Sequence, residues 1–209
     1  MASSITIVDY GTGNVGSVFN MLRHLGFDAT ITAEHEMLRH ADRIILSGVG
    51  AFDAAVEQLR SRDLVDVLTR RVIGAGVPLL GICLGMQLLT ERSDEGTLPG
   101  LGWLPAETIR LTSPDPMRRL RIPHMGWNEI TVCRDSPLVN GLSGDARFYF
   151  VHSFHVMCRE RSDVVATTSY GGTLCAVVQH DNICGTQFHP EKSHRFGMTV
   201  LRNFVEGVF

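Results

Sequence analysis

Cys83 lies in Gly81-Ile82-Cys83-Leu84-Gly85, directly after the apolar run Val77-Pro78-Leu79-Leu80. This is the G-x-nucleophile-x-G spacing of a tight strand-to-helix turn, which holds its central side chain out toward solvent. The flanking glycines leave room for strained backbone and an approaching substrate, and the N–H groups and positive dipole end of the next helix favour a thiolate. Far downstream, the apolar stretch Ile183-Cys184-Gly185-Thr186-Gln187-Phe188 runs into His189-Pro190-Glu191. Residues i and i+2 of an extended segment point the same way, so Glu191 can hydrogen-bond and orient the His189 imidazole. Pro190 cannot donate to a sheet ladder, so the chain leaves the sheet there, near the carboxyl edge where α/β folds place their sites. A thiol, an imidazole and a carboxylate in these settings point to acyl transfer by a thiol nucleophile.

A further element is Ser47-Gly48-Val49-Gly50, after a strand expected over 43–46. The two glycines let the Val49 peptide rotate, turning an N–H toward the oxygen of an acylated Cys83; with the N–H of Leu84 this completes an oxyanion hole. An ordinary glycine turn is the alternative. Gly11-Thr12-Gly13-Asn14-Val15-Gly16 competes for attention, because it matches G-x-G-x-x-G and has Glu34 near the distance of a ribose-binding acid, as in a nucleotide-binding oxidoreductase. Asp9-Tyr10 intervene between the apolar strand and the first glycine, which favours a tight turn whose glycines permit close packing. His152 and His155, three apart in one expected strand, face opposite sides, one inward and one outward, and make a poor pair for a shared metal. Cys133, Cys158, Cys175 and Cys184 lack the elbow setting and read as core residues, and no C-x-x-C pair suggests zinc. Neither a metal nor a cofactor is expected.

The elements that must position these groups divide into two textures. Before residue 95, short β-branched runs alternate with amphipathic stretches: strands are expected over 5–9, 28–32 and 43–46, and helices over 14–25, closed by Gly26, and 64–73. That alternation builds βαβ units and a parallel sheet. Beyond Glu95, Gly, Pro and Asp punctuate short strands, which reads as antiparallel hairpins added to the open sheet, with a closing helix over 193–208. The expected fold is α/β, an open, mostly parallel sheet flanked by helices, in a single domain spanning 1–209 with one shared core. A net charge of −3 with no run of like charges recommends neither nucleic acid nor a membrane surface as partner. Five scattered cysteines argue against a disulfide framework, and Met1-Ala2-Ser3-Ser4 opens neither a signal peptide nor a spanning helix, so a cytoplasmic location is expected.

With Cys83, His189 and Glu191 in this order, the chain resembles the class I (triad) glutamine amidotransferases over essentially its whole length. Segments 81–87 and 187–193 carry the motifs of the whole class, and four others narrow the resemblance to the glutaminase subunits of imidazole glycerol phosphate synthases: Asp9-Tyr10-Gly11-x-Gly13-Asn14, Gly48-Val49-Gly50, Pro123-His124-Met125-Gly126-Trp127-Asn128 and 149–153. The resemblance implies that Cys83 attacks the side-chain amide of L-glutamine, that His189 shuttles protons and that Glu191 orients it. It implies that Gln87, Glu95, Ser153 and Phe154 bind the glutamine, Glu95 by meeting its α-ammonium. It further implies a heterodimer with a (β/α)8 cyclase subunit that receives the ammonia, docked through Asn14, Pro123, Met125, Trp127, Asn128, Tyr149 and Lys192. A glutaminase serving another acceptor, such as pyridoxal phosphate synthase, is the alternative that the segment 123–128 disfavours. Two departures stand out: Ser47 stands where the family usually has proline, which frees the backbone and restores an N–H, and Phe154 where tyrosine is common.

Overall fold

A computed structural model describes residues 4–113 and 120–209; Met1–Ser3 of the N-terminal segment lie outside the described residues. The first half alternates β1 (Ile5–Val8), α1 (Val15–His24), β2 (Ala29–Thr32), α2 (His35–Arg39), β3 (Arg43–Gly48), α3 (Phe52–Ser61), α4 (Leu64–Thr69), β4 (Leu79–Cys83) and α5 (Leu84–Leu88). The second half supplies β5 (Ala106–Arg110), β6 (His124–Glu129), β7 (Thr131–Val132), β8 (Arg147–His152), β9 (Phe154–Cys158), β10 (Val164–Ser169), β11 (Thr173–His180), β12 (Ile183–Thr186) and α6 (His194–Glu206). The main sheet has the order β2-β1-β3-β4-β12-β11-β10-β7. Its first five strands are mutually parallel and the last three are antiparallel additions, as expected of the two textures. Two separate ribbons, β5–β9 and β6–β8, complete the second half.

Successive strand side chains alternate faces, so the sheet buries two layers. Ile44, Leu46 and Leu79 enter one layer beside Leu59 and Leu64 of the helices, whereas Ile45, Leu80 and Ile82 enter the other beside Val200 and Phe204 of α6. Each layer also takes residues from both halves of the chain, Val156 and Val178 in the first and Phe148 and Val177 in the second, so the two textures share their core. Among the described residues no helix is long and apolar enough to cross a membrane.

Three expectations need correction, and two helices are added. β3 continues to Gly48 and pairs Ser47 with Ile82 and Gly48 with Cys83, because a serine, unlike a proline, does not interrupt the ladder. The helix expected over 64–73 ends at Thr69 and continues as one π-turn, Arg70–Gly74. The helices α2 and α3 were not anticipated. His152 and His155 do not share a strand: the chain breaks at Ser153, since β8 pairs with β6 and β9 with β5.

Candidate active site

The parallel strands deliver the site residues at one edge of the sheet. β4 ends at Cys83, and β12, paired beside it with Thr186 opposite Ile82, runs on three residues to His189. Cys83 has φ 54° and ψ −110°, a conformation that L side chains avoid and that marks a nucleophile elbow. The neighbouring glycines are required by close approach: a Cβ on Gly85 would lie 1.8 Å from the Leu46 carbonyl oxygen, and one on Gly81 would lie 2.8 Å from the Met86 backbone. The thiol is not held out in solvent. Cys83 is 6% exposed, on the wall of a cavity of about 320 Å³. Since α5 has only five residues, it offers Cys83 the N–H groups of a first turn rather than a long helix's macrodipole.

The His189–Glu191 pair is present, but an extended segment does not make it. His189 is extended at φ −97° and ψ 99°, and a single 3₁₀ turn over Pro190–Lys192 then brings the carboxylate back to the ring. His189 Nδ1 lies 2.8 Å from Glu191 Oε1, with both side chains fully buried. Burial by itself lowers the basicity of the imidazole, yet contact with the Cys83 thiol and then the Glu191 hydrogen bond outweigh it and raise the pKa to about 9. Among the described residues, Nε2 is buried without a hydrogen-bond partner and can exchange a proton with a group that enters the cavity. The backbone of His189 is held by β8: its N–H donates to the Tyr149 carbonyl at 2.9 Å, and the Ser193 hydroxyl donates to the His189 carbonyl at 2.6 Å while accepting from Tyr149 N–H at 3.0 Å.

Every expected pocket residue other than Glu191 lines the same cavity: Cys83, His189, Val49, Gly50, Leu84, Gln87, Glu95, Ser153 and Phe154. Glu191 stands behind His189. Glu95 accepts from the Phe52 N–H at 3.0 Å and has no ion-pair partner among the described residues; burial raises its pKa. Gln87 Nε2 donates to the Phe154 carbonyl at 2.9 Å and to Gln187 Oε1 at 3.3 Å. Gln187 in turn directs its Nε2 at Cys83 Sγ, 3.8 Å away. Gln187 was not expected among the site residues; its place just beyond the end of the strand that leads to His189 was the available signal. Tyr10 was not expected there either. It is fully buried, and a Cβ on Gly48 would lie 2.3 Å from its hydroxyl. Gly50 has φ +113° with open space around it.

The residues expected at a partner interface split between two faces. Pairing across β6–β8 puts Trp127 opposite Tyr149 and Met125 opposite Val151 on an outer face, where Met125 is 61% and Trp127 48% exposed. Trp127 stacks on His194, and Lys192 Nζ lies 5.8 Å from the centre of the Tyr149 ring. Pro123 lines the cavity, and Asn14 sits at the start of α1, accepting from the Ser17 hydroxyl. Asn128 is the exception: it is on the other face of the ribbon, bonded to His124 and to the Ser169 carbonyl. The Gly11–Gly16 segment forms a turn in close contact with the sheet, since a Cβ on Gly13 would lie 2.5 Å from the Ser47 carbonyl oxygen.

Comparison with known proteins agrees with this geometry. Residues 6–208 match the family model "Glutamine amidotransferase class-I". The chain is 46% identical to the imidazole glycerol phosphate synthase subunit HisH 2 of Methanococcus maripaludis, over 97% of this chain and 98% of that one, and 44% identical to its namesake from Pseudomonas aeruginosa with the same coverage. Among solved structures it is similar to that of PurLQS from Thermotoga maritima, with TM-score 0.72, 19% identity and coverage of 98% of either chain, a likeness of fold. The chain belongs to the class I glutamine amidotransferases and, within them, to the family of the imidazole glycerol phosphate synthase subunits HisH.

Proposed function

We propose that the chain is a cytoplasmic glutaminase subunit that hydrolyses L-glutamine to glutamate and ammonia at Cys83 and passes the ammonia to a (β/α)8 cyclase subunit making imidazole glycerol phosphate and AICAR. The observation that carries the reading is the buried His189–Glu191 pair beside a thiol held at positive φ. Cys83 Sγ attacks the side-chain carbonyl carbon of glutamine as a thiolate, with its proton on His189 Nε2. A pKa near 9 keeps that proton on the imidazole at neutral pH until the departing nitrogen takes it and the C–N bond breaks. Ammonia leaves and a glutamyl thioester remains. His189, now neutral, removes a proton from water; the resulting hydroxide adds to the thioester, the C–S bond breaks with the thiolate and the imidazolium restored, and the new carboxyl gives its proton to solvent as glutamate departs.

Val49, Gly50 and Leu84 supply the N–H groups for the oxyanion of both tetrahedral species. Glu95, a carboxylate on the cavity wall with no ion-pair partner among the described residues, meets the α-ammonium of the substrate, and Gln87, Ser153 and Phe154 hold the rest of the amino acid. The outer face of β6–β8 with Lys192 docks the synthase subunit. A shared passage has a chemical reason, because ammonia released into neutral water is mostly protonated and no longer nucleophilic. Glutamate release by the purified chain with and without the cyclase subunit tests the reading: acceleration by the partner is expected, and absence of glutamate in both conditions would overturn it.

A further inference from the structure

His124 is an unexpected residue for the inner face of a short ribbon. It is 2% exposed, its ring stacked between Phe150 at 4.7 Å and Tyr170 at 4.0 Å, and nothing in the reaction above uses it. Its two ring nitrogens are both engaged. Nδ1 lies 3.0 Å from His152 Nε2, and Nε2 lies 3.2 Å from Asn128 Nδ2.

The direction of each of these hydrogen bonds follows from the groups at the two ends. His152 Nδ1 lies 2.9 Å from the Phe154 carbonyl oxygen, which can only accept, so Nδ1 carries the proton and a neutral His152 offers Nε2 as acceptor. His124 must therefore donate from Nδ1 and accept at Nε2. The Asn128 end requires the same polarity independently: its Nδ2 also donates to the Ser169 carbonyl at 3.0 Å, and its Oδ1 accepts from the Glu129 N–H at 2.9 Å. Burial holds both rings in the neutral form that this arrangement needs, pushing His124 down to about 4 and His152 down to about 3; His124, His155 and His189 also oppose a charge on His152.

The chain of contacts does not stop at Phe154. Its carbonyl oxygen accepts twice, from His152 and from Gln87; Gln87 donates to Gln187, and Gln187 donates to Cys83 Sγ. We propose that His124 is a positioning residue of the glutamine site: donors run from Asn128 on the β6–β8 ribbon through His124 and His152 to the Phe154 carbonyl, which also accepts from Gln87, itself linked through Gln187 to the Cys83 thiol. The proposal rests on the glutaminase reading of the cavity. Loss of the His124 donor leaves the buried His152 Nε2 unpaired and lets His152 turn to its other tautomer, which takes from the Phe154 carbonyl one of its two donors and loosens the group that also holds the Gln87 amide. His124 touches neither substrate nor thiol, so its loss acts on how glutamine is held more than on the chemical step.

Two measurements test this. In ¹⁵N spectra of the full chain, His124 and His152 should both appear as neutral Nδ1–H tautomers and stay so between about pH 6 and 8; finding either as the Nε2–H tautomer overturns the proposal. In the complex with the cyclase subunit, His124→Phe keeps a flat ring in the stack and removes both nitrogens, and should raise KM for glutamine about tenfold while kcat changes by less than about twofold. His124→Asn restores a donor near the place of Nδ1 and should bring KM back to within about threefold of wild type. An unchanged KM in His124→Phe, or no rescue by Asn in a variant of wild-type melting temperature, overturns it. If His124→Phe does not fold, the tautomers decide. A wild-type complex that releases no glutamate defeats the glutaminase reading instead, and the spectra still judge the hydrogen-bonded chain.

Discussion

At the scale of single residues, the site depends on a histidine subject to opposed influences. Burial lowers the His189 pKa, the thiol and Glu191 raise it, and the result lies near 9. A group with a raised pKa is protonated below it, so on the proposed mechanism the acid that releases ammonia is present at neutral pH and lost on the alkaline side. The kcat/KM for glutamine should accordingly fall as pH rises through about 9, and Glu191→Gln, by removing one of the raising influences, should move that fall to lower pH and reduce the maximum rate less than His189→Ala does. A pH–rate profile of both variants checks this; an alkaline limb unmoved in Glu191→Gln would contradict the orienting role. Cys83 is one of five free cysteines, yet it alone combines the strained elbow with the cavity wall. A glutamine-derived electrophile should label Cys83 selectively, and Cys83→Ala should abolish glutamine hydrolysis while leaving synthesis from added ammonium in the complex. Inactivation accompanied by label on Cys133, Cys158, Cys175 or Cys184 would refute the assignment.

At the scale of elements, what the sequence revealed and what it concealed have separate physical causes. The strand-turn-helix around Cys83 was legible because only glycine fits at Gly81 and Gly85, so the steric need is written directly in the residue types. The pairing of His189 with Glu191 was legible as well, but for a reason that did not hold: the 3₁₀ turn, not an extended segment, closes the contact. α2 buries a single side chain, Leu38, and such a helix leaves no period to read. α3 does carry one, with Phe52, Ala55, Val56 and Leu59 buried at helical spacing, a period legible in the sequence. The seam at Ser153 was hidden, because it depends on which strands β8 and β9 pair with, and pairing is long-range. So were the Gln187–Cys83 and His124–His152 contacts, which join residues far apart in sequence.

The 48–50 loop belongs to this scale too. Gly50 at φ +113° has open space where a Cβ would stand, so substitution there acts through the backbone alone. Gly50→Ala should therefore shift the loop and cost about 10²–10³ in glutamine turnover, the worth of one oxyanion donor, while Cys83 alkylation by a small reagent stays close to wild type. Parallel loss of both rates would mean that the change reaches the elbow itself and would count against a role confined to the oxyanion.

At the scale of the whole molecule, the β6–β8 ribbon places two tasks back to back. Its outer face presents Met125 and Trp127, exposed and backed by His194 and Tyr149, and its inner face carries His124 and His152 toward the glutamine cavity. The same ribbon fixes the His189 backbone through Tyr149. On the proposed reading, a partner docked on the outer face bears directly on the element that holds the His189 backbone and carries His152 to the Phe154 carbonyl. Large, partly exposed aromatic side chains held in place before binding are typical anchors, and removal of one commonly costs about 2 kcal/mol or more. Trp127→Ala should weaken cyclase-subunit binding at least about tenfold. Because Trp127 is 48% exposed, the melting temperature of the free chain should barely change, and so should alkylation of Cys83 in the absence of the partner. Calorimetric titration of the two subunits decides the matter: an unchanged affinity would place the docking surface elsewhere on the molecule, whereas weakened binding with a normal free chain would tie activation to this ribbon.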